Sequence, residues 1–397
     1  MSYLSSLRCT MCGLEYEPAE LHYLCDHCSR EYRPGMPLKG ILEAVFDYAA
    51  IKEAWEDFLS AFPDACELQK MQELCELFSP LDKEHYPNLP VGYTPLIECT
   101  NLVAEPLHLK FDGLNPSGSF KDRASQLVVA EAKRLGIREI VTASTGNAAS
   151  SLAALCAASG IKAVIFTPAK APMAKLVQIR IHGAELHKVD GSYDDAFAQA
   201  LQYSAEHECL NRNTAYHPYT IEGKKTAGLE LFIQMPGVPD YIFVPTGDGV
   251  ILAGMHKAFS DLRQAGFTDH LPILVAVQAE SSDAIAAYLE NGYYRDAVAP
   301  STVADSISVK TPSAAHLAYR ALRESEGMGI RVSDQEILAA QKVLAERSGI
   351  FCEPSSASTL AAYYKAKEQA WIKDKASTVL MLTGHGLKDI QAVNLAD

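Results

Sequence analysis

Asn115-Pro116-Ser117-Gly118-Ser119-Phe120-Lys121-Asp122-Arg123 is the stretch from which the rest of the chain can be read. Lys121 follows a small-residue turn and opens an apolar, helix-like run at 124–135. The positive end of a helix disfavours a charged ammonium, and a lysine kept partly neutral attacks an aldehyde to form a Schiff base. Taken alone, the stretch also fits an ordinary loop with a solvated lysine. Three further stretches agree with the chemical reading.

Just downstream, the β-branched run Glu139-Ile140-Val141-Thr142-Ala143 reads as a strand. It leads into Ser144-Thr145-Gly146-Asn147 and an alanine-rich helix at 148–159. Strand, tight loop and helix point backbone amides at an anion, a carboxylate or phosphate, although the same residue types also serve simply as helix caps. Runs at 163–167 and 185–189 read as further strands around a helix at 174–182.

The second stretch lies at 241–246, an apolar strand followed by Gly247-Asp248-Gly249 and a helix from Val250 to about residue 259. Glycines at such a turn let amides close around a dianion, with a plain tight turn as the alternative. Asp248 is expected to cap the turn with its carboxylate outward. Residues 274–278 continue the sheet, and 333–347 and 355–368 read as serine-capped amphipathic helices. The third stretch is the strand 378–383, ending in Thr383-Gly384-His385-Gly386. A hydroxyl there suits a ring nitrogen; His385 is an acid or base, or lines the turn. The alternation of strands and helices indicates an α/β protein with a parallel sheet covered by helices.

At the N-terminus, Cys9-Thr10-Met11-Cys12 and Cys25-Asp26-His27-Cys28 are separated by twelve residues, a spacing that lets four thiolates converge on one zinc ion. His22 or His27 is the alternative ligand. With every thiolate used, no open position remains, so the zinc is expected to be structural. Between 38 and 77, Ile41, Val45, Phe46, Ala49, Trp55, Phe58 and Leu59 recur at helical intervals, which suggests two or three helices in an arm.

The 397 residues are 48% hydrophobic, enough for large cores in two or more lobes. A formal charge of -14 argues against nonspecific nucleic-acid binding, which needs a basic face. No apolar run is long enough to span a bilayer, and residues 1–24 lack a signal-peptide pattern, so a cytoplasmic location without a membrane partner is expected. Six of the ten cysteines are scattered among mostly apolar residues, as reduced core cysteines are.

Together these stretches resemble threonine synthase and its relatives among the tryptophan-synthase-β-like pyridoxal phosphate enzymes, from about residue 9 to 389. The matches are residues 115–123, Ser144 to Asn147, Val189-Asp190-Gly191-Ser192-Tyr193-Asp194-Asp195-Ala196, Ile221-Glu222-Gly223-Lys224-Lys225-Thr226-Ala227, and residues 382–389. The resemblance implies a two-lobed parallel-sheet fold of tryptophan synthase β type with an N-terminal zinc ribbon. Boundaries are expected at 1–36 for the ribbon, 37–90 for the arm, 91–123 with 224–397 for a large lobe that binds pyridoxal phosphate, and 124–223 for a small lobe.

It further implies that Lys121 carries the cofactor and moves the α-proton, with Phe120 beside the ring and Asn147 on its phenolic oxygen. Gly247, Asp248, Gly249 and Val250 would cradle the cofactor phosphate, and Thr383 would meet the pyridine nitrogen. Ser144, Thr145 and Gly146 would hold the substrate carboxylate, with Ala148 following them. The implied enzyme is a homodimeric lyase that eliminates a leaving group, such as phosphate, from a small amino acid and adds a nucleophile at Cβ. Threonine synthase chemistry on O-phosphohomoserine is the leading expectation.

Where that family grips the substrate phosphate, however, this chain has Ala148, Thr214, Ala215 and Thr220, and an arginine is missing. Charge-assisted bonds run about 1.5–3 kcal/mol each, enough to change a substrate. His217, Lys175, Lys224 and Lys225 are candidates for replacement charge. The alternatives are β-replacement on O-phosphoserine with sulfite, as in cysteate synthase, and a serine or threonine ammonia-lyase.

Overall fold

The computed structural model describes residues 2–33, 35–103, 105, 107–144, 146–169, 173–191 and 193–393, with the side chains of 173–175, 193 and 194 outside the description. The chain divides into two compact units, one of residues 1–93, 121–230 and 264–267, the other of residues 94–120, 231–263 and 268–397. The boundary between the two at the Phe120–Lys121 peptide falls inside the stretch Asn115 to Arg123.

In the first unit, strand Leu4–Cys9 lies between Glu15–Tyr16 and Leu42–Phe46 in an antiparallel sheet. Here the sequence expectation fails in part, because residues 42–46 were expected to be helical. Ile41, Val45 and Phe46 match a helical spacing by chance, and the non-local pairing with Leu4–Cys9 overrides it. Helices follow at Tyr48–Ala61, where Asp47 accepts from the Ala50 amide, and at Glu67–Leu77.

The same unit holds a four-stranded all-parallel sheet in the order Glu185–Val189, Lys162–Pro168, Glu139–Ala143, Leu210–Asn211. Val128, Ile140, Leu152 and Ile165 anchor its buried core. Helices Lys121–Leu135 and Asn147–Ser159 belong to this unit, as does helix Tyr219–Gln234 as far as Glu230. A Cβ on Gly223 would lie 2.0 Å from the Arg123 carbonyl oxygen, so only glycine permits the close crossing of the first and third of these helices.

The second unit is built on a six-stranded sheet in the order Met328–Val332, Ile273–Ala279, Tyr241–Pro245, Thr378–Leu382, Leu107–Phe111, Leu96–Cys99. Its pairs are parallel except the last, so the sheet is mixed and not wholly parallel as expected. The antiparallel edge is a short run beside prolines, and too brief to announce itself by alternation. Leu109, Phe243, Val277 and Leu380 fill the core beneath. Ser333 caps helix Asp334–Ser348 in a reciprocal box with Glu336, as its sequence predicts. Helix Pro354–Glu368 starts earlier than expected, with Glu353 and not Ser355 at the cap and proline in the first turn.

Candidate active site

The second unit assembles its share of the candidate residues around the end of strand Thr378–Leu382. An antiparallel bridge between Ser119 and Gly384 ties the residues before Lys121 to that strand end. The Phe120 amide donates to the Thr383 carbonyl at 2.8 Å, and the His385 amide to the Gly118 carbonyl at 2.9 Å. The bridge sets the fully buried Phe120 ring and the Thr383 hydroxyl on adjacent backbones. Ser119 Oγ is buried with no partner among the described residues. Ser356, in the first turn of helix Pro354–Glu368, places its Oγ 3.4 Å from Thr383 Oγ1. In the sequence the serine-rich start of that helix is the only local mark of Ser356.

Also in this unit, Gly247-Asp248-Gly249 turns from strand Tyr241–Pro245 into helix Val250–Gln264. Gly249 has φ +85°, and a Cβ there would meet Ala318 Cβ at 2.9 Å. A Cβ on Gly247 would lie equally near Ile307 Cα. Both glycines are therefore demanded by left-handed backbone or close approach. Asp248 Oδ1 accepts from the Val250 amide at 2.9 Å, so the carboxylate caps the turn, as expected from the sequence. His385 Nδ1 accepts from the Leu387 amide at 3.2 Å, which supports the turn-lining alternative for that residue.

In the first unit, Lys121 is the first residue of helix Lys121–Leu135 and is half-buried. Two residues on, the fully buried Arg123 pairs with Glu230 through both ends of its guanidinium, at 2.5 and 2.8 Å. Bidentate pairing locks the first turn of the lysine helix against helix Tyr219–Gln234. Asn147 opens helix Asn147–Ser159 behind Gly146, so no side chain caps this helix. Ser144 Oγ instead accepts from the Gly146 amide at 3.2 Å. Ala148 follows in the first turn, half-buried. Thr145 lies outside the described residues, as does the side chain of Lys175.

The positions that depart from the resemblance lie between strand Leu210–Asn211 and helix Tyr219–Gln234. Thr220 Oγ1 accepts from the Ala215 amide at 3.0 Å and donates to the His217 carbonyl at 2.7 Å. Ala215 is thereby held at φ +60°, a conformation that costs a non-glycine residue on the order of 1 kcal/mol or more. His217 does not supply charge: burial, with the nearby Arg212 guanidinium, pushes its imidazole down to about 3. Lys225 lies 2.5 Å from Glu222 and 4.2 Å from the centroid of the Phe46 ring. Buried Lys224 donates to Thr214 Oγ1 at 3.0 Å. Arg212 and Asn213, both buried in the same connection, were missed in sequence. No local motif marks a polar residue as buried.

Near the N-terminus, the ligand atoms of Cys9, Cys12, Cys25 and Cys28 all lie within 4.8 Å of one another. Among the described residues, no helix is long and apolar enough to cross a membrane.

Comparison with known proteins adds an independent line. The family model described as "Pyridoxal-phosphate dependent enzyme" matches residues 88–384. The threonine synthase of Methanosarcina acetivorans is 35% identical over 98% of this chain and 93% of its own length. That of Methanocaldococcus jannaschii is 34% identical over 97% of this chain and 93% of its own. Among solved structures, maize serine racemase superposes with a TM-score of 0.64 at 25% identity, covering 74% of this chain and 88% of that one. The processed form of threonine deaminase isoform 2 from Solanum lycopersicum has a TM-score of 0.66 at 19% identity, over 96% of this chain and 98% of its own, a likeness of fold.

Proposed function

The chain belongs to the pyridoxal-phosphate dependent enzyme family, and on that premise we propose that it is a threonine synthase, a lyase that converts O-phosphohomoserine and water into threonine and phosphate. The observation that carries this reading is the 35% identity to a threonine synthase across 98% of the chain.

The residues present fit pyridoxal phosphate. Gly247 and Gly249 leave no room for a Cβ at a helix start suited to a dianion, and buried Ser119 Oγ lacks a partner among the described residues. Lys121 would hold the aldehyde carbon, Phe120 would flank the ring, and Thr383, backed by Ser356, would meet the ring nitrogen. Asn147 would hold the phenolic oxygen. When bound, the cofactor withdraws electrons from the substrate's Cα–H bond so that the proton can leave.

Lys121 is the base in this reading. Its amine takes protons from Cα and Cβ, phosphate departs from Cγ with the Cγ–O electron pair, water adds at Cβ, and protons return to Cα and Cγ. The loop of Ser144 and Gly146, with the uncapped start of helix Asn147–Ser159, would hold the α-carboxylate on backbone amides. A hydroxyl at the ring nitrogen leaves that nitrogen largely unprotonated, which favours elimination over transamination.

The four thiolates are assigned to one structural zinc, a reading supported by their mutual distances and their paired spacing. A homodimer in the cytoplasm completes the proposal, on the strength of the resemblance. One observation favours a second reading: Thr220 stands where the family's arginine does, with its hydroxyl bonded to Ala215 and His217. A shorter substrate, O-phosphoserine with sulfite as nucleophile, has less need of that arginine. Purified yellow holoenzyme should release phosphate and threonine from O-phosphohomoserine, and Lys121→Ala should reduce the rate by at least about a thousandfold. Phosphate release from O-phosphoserine alone would replace the first reading with the second.

A further inference from the structure

Three segments of the first unit converge on one buried ion pair that begins two residues past Lys121. Arg123 and Glu230 are 1% and 0% exposed, and beside their paired contact Arg123 Nη1 donates to Thr226 Oγ1 at 2.9 Å. Glu230 Oε1 also accepts from the Tyr93 amide at 2.7 Å. That amide belongs to distorted backbone: Gly92 lies at φ +85° and Tyr93 at φ +52°, the left-handed region that a tyrosine enters only at a cost. A Cβ on Gly92 would stand 2.8 Å from Glu230 Oε1 and 3.0 Å from Arg123 Nη1, so the chain at 92–93 presses on the pair itself.

Stability alone is a weak reason for this construction. Taking two charges out of water costs about as much as their attraction returns, and well-packed apolar residues of similar volume would hold the segments together as well. What a bidentate pair adds is one fixed geometry. The element so fixed is the end of a helix, where the first amides lack intrahelical partners and fraying is ordinary. Lys121 is the first residue of that helix. Each residue turns about 100° around a helix axis, so Lys121 leaves the axis about 200° from Arg123, on the side away from the clamp. Holding the guanidinium therefore sets the rotation of the first turn, and with it the direction of the lysine.

We propose that Arg123 and Glu230 are positioning residues for the chemistry of Lys121. The pair, held by Thr226 and the Tyr93 amide, aims the lysine amine at the aldehyde carbon of the cofactor, with which it condenses as water leaves. The inference deepens the lyase reading and rests on it for the cofactor. Loss of the pair then costs the covalent link and spares the other contacts made with the same molecule.

Two probes separate those contributions: pyridoxal phosphate, which can condense with Lys121, and pyridoxamine phosphate, which carries an amine in place of the aldehyde and cannot. Each is bound to the full chain stripped of cofactor, and dissociation constants are measured by equilibrium dialysis. In the wild type the aldehyde should bind the more tightly, and borohydride should fix it on Lys121. Glu230→Gln should weaken pyridoxal phosphate by about tenfold or more and leave pyridoxamine phosphate within about twofold of the wild type. Thr226→Val keeps both charges and removes one acceptor of Arg123; it should move the ratio of the two constants the same way by about threefold, and it carries the test should Glu230→Gln not fold. Leu74→Ala, which opens a cavity under the arm helix Glu67–Leu77, should lower the unfolding temperature and leave the ratio unchanged. Equal loss of both probes in the variants that fold, or a ratio that Leu74→Ala moves as far, makes the pair a support of the fold alone and overturns the inference while the lyase reading stands. A wild type that borohydride leaves unlabelled at Lys121 in the presence of pyridoxal phosphate removes the lyase reading, and this inference with it.

Discussion

His217 shows at the scale of one residue what burial does to a group whose sequence suggests charge. Its folded value of about 3, set by burial and then by Arg212, lies well below the value near 6.5 of an unfolded histidine. Above about pH 6.5 both states are neutral and the residue contributes no pH dependence. As pH falls from there toward 3, the unfolded chain takes up a proton that the folded chain refuses, and stability is lost at up to about 1.4 kcal/mol per pH unit. Urea midpoints measured at pH 7, 6 and 5 should therefore fall less steeply for His217→Phe than for the wild type. Parallel slopes would show that the folded imidazole takes up protons normally. By contrast, the places of Lys121 and Asn147 at helix starts, and of Gly247 to Gly249 between a strand and a helix, were legible because each has its own local pattern. Asn213 and Ser356 were not, since their partners Ala143 and Thr383 are distant in the chain.

Among the elements, the N-terminal segment that carries the four clustered cysteines bears on the body of its own unit at Tyr23, among other residues. The Tyr23 ring stacks on Tyr216 at 4.7 Å, and its hydroxyl accepts from the Asn211 amide at 2.9 Å. Tyr23 lies two residues before Cys25, so whatever fixes the thiolates also fixes this brace. Metal analysis should find one zinc per chain, and Cys12→Ser should lose it. Stripping the metal with a chelator and a thiol reagent should lower the unfolding temperature by several degrees, because a ribbon with so little core depends on its metal. A protein that holds no zinc and unfolds at the same temperature after treatment would remove the metal from the account. The paired spacing of the four cysteines announced their convergence in sequence. The strand Leu42–Phe46 that completes its sheet did not, since its register depends on Leu4–Cys9.

For the whole molecule, cofactor binding should couple to global stability, since a ligand held by the folded chain and not by the unfolded one adds its binding free energy to folding. A ligand at about a hundred times its dissociation constant stabilises the native state by about 2.7 kcal/mol. Thermal unfolding should rise by several degrees on adding pyridoxal phosphate to stripped protein, and less for Lys121→Ala, which cannot hold the aldehyde. An unfolding temperature indifferent to the cofactor would contradict the assignment. The sequence by itself determined the α/β class, the place of Lys121 at a helix start, the glycine turn, the convergence of the cysteine quartet and the family, because each is written in contiguous residues whose spacing matches helix, strand or ligand geometry. Only the tertiary structure decided the antiparallel edge of the larger sheet and the neutral state of His217. Those depend on which distant groups approach and on how much water is excluded, and neither is encoded by neighbours along the chain.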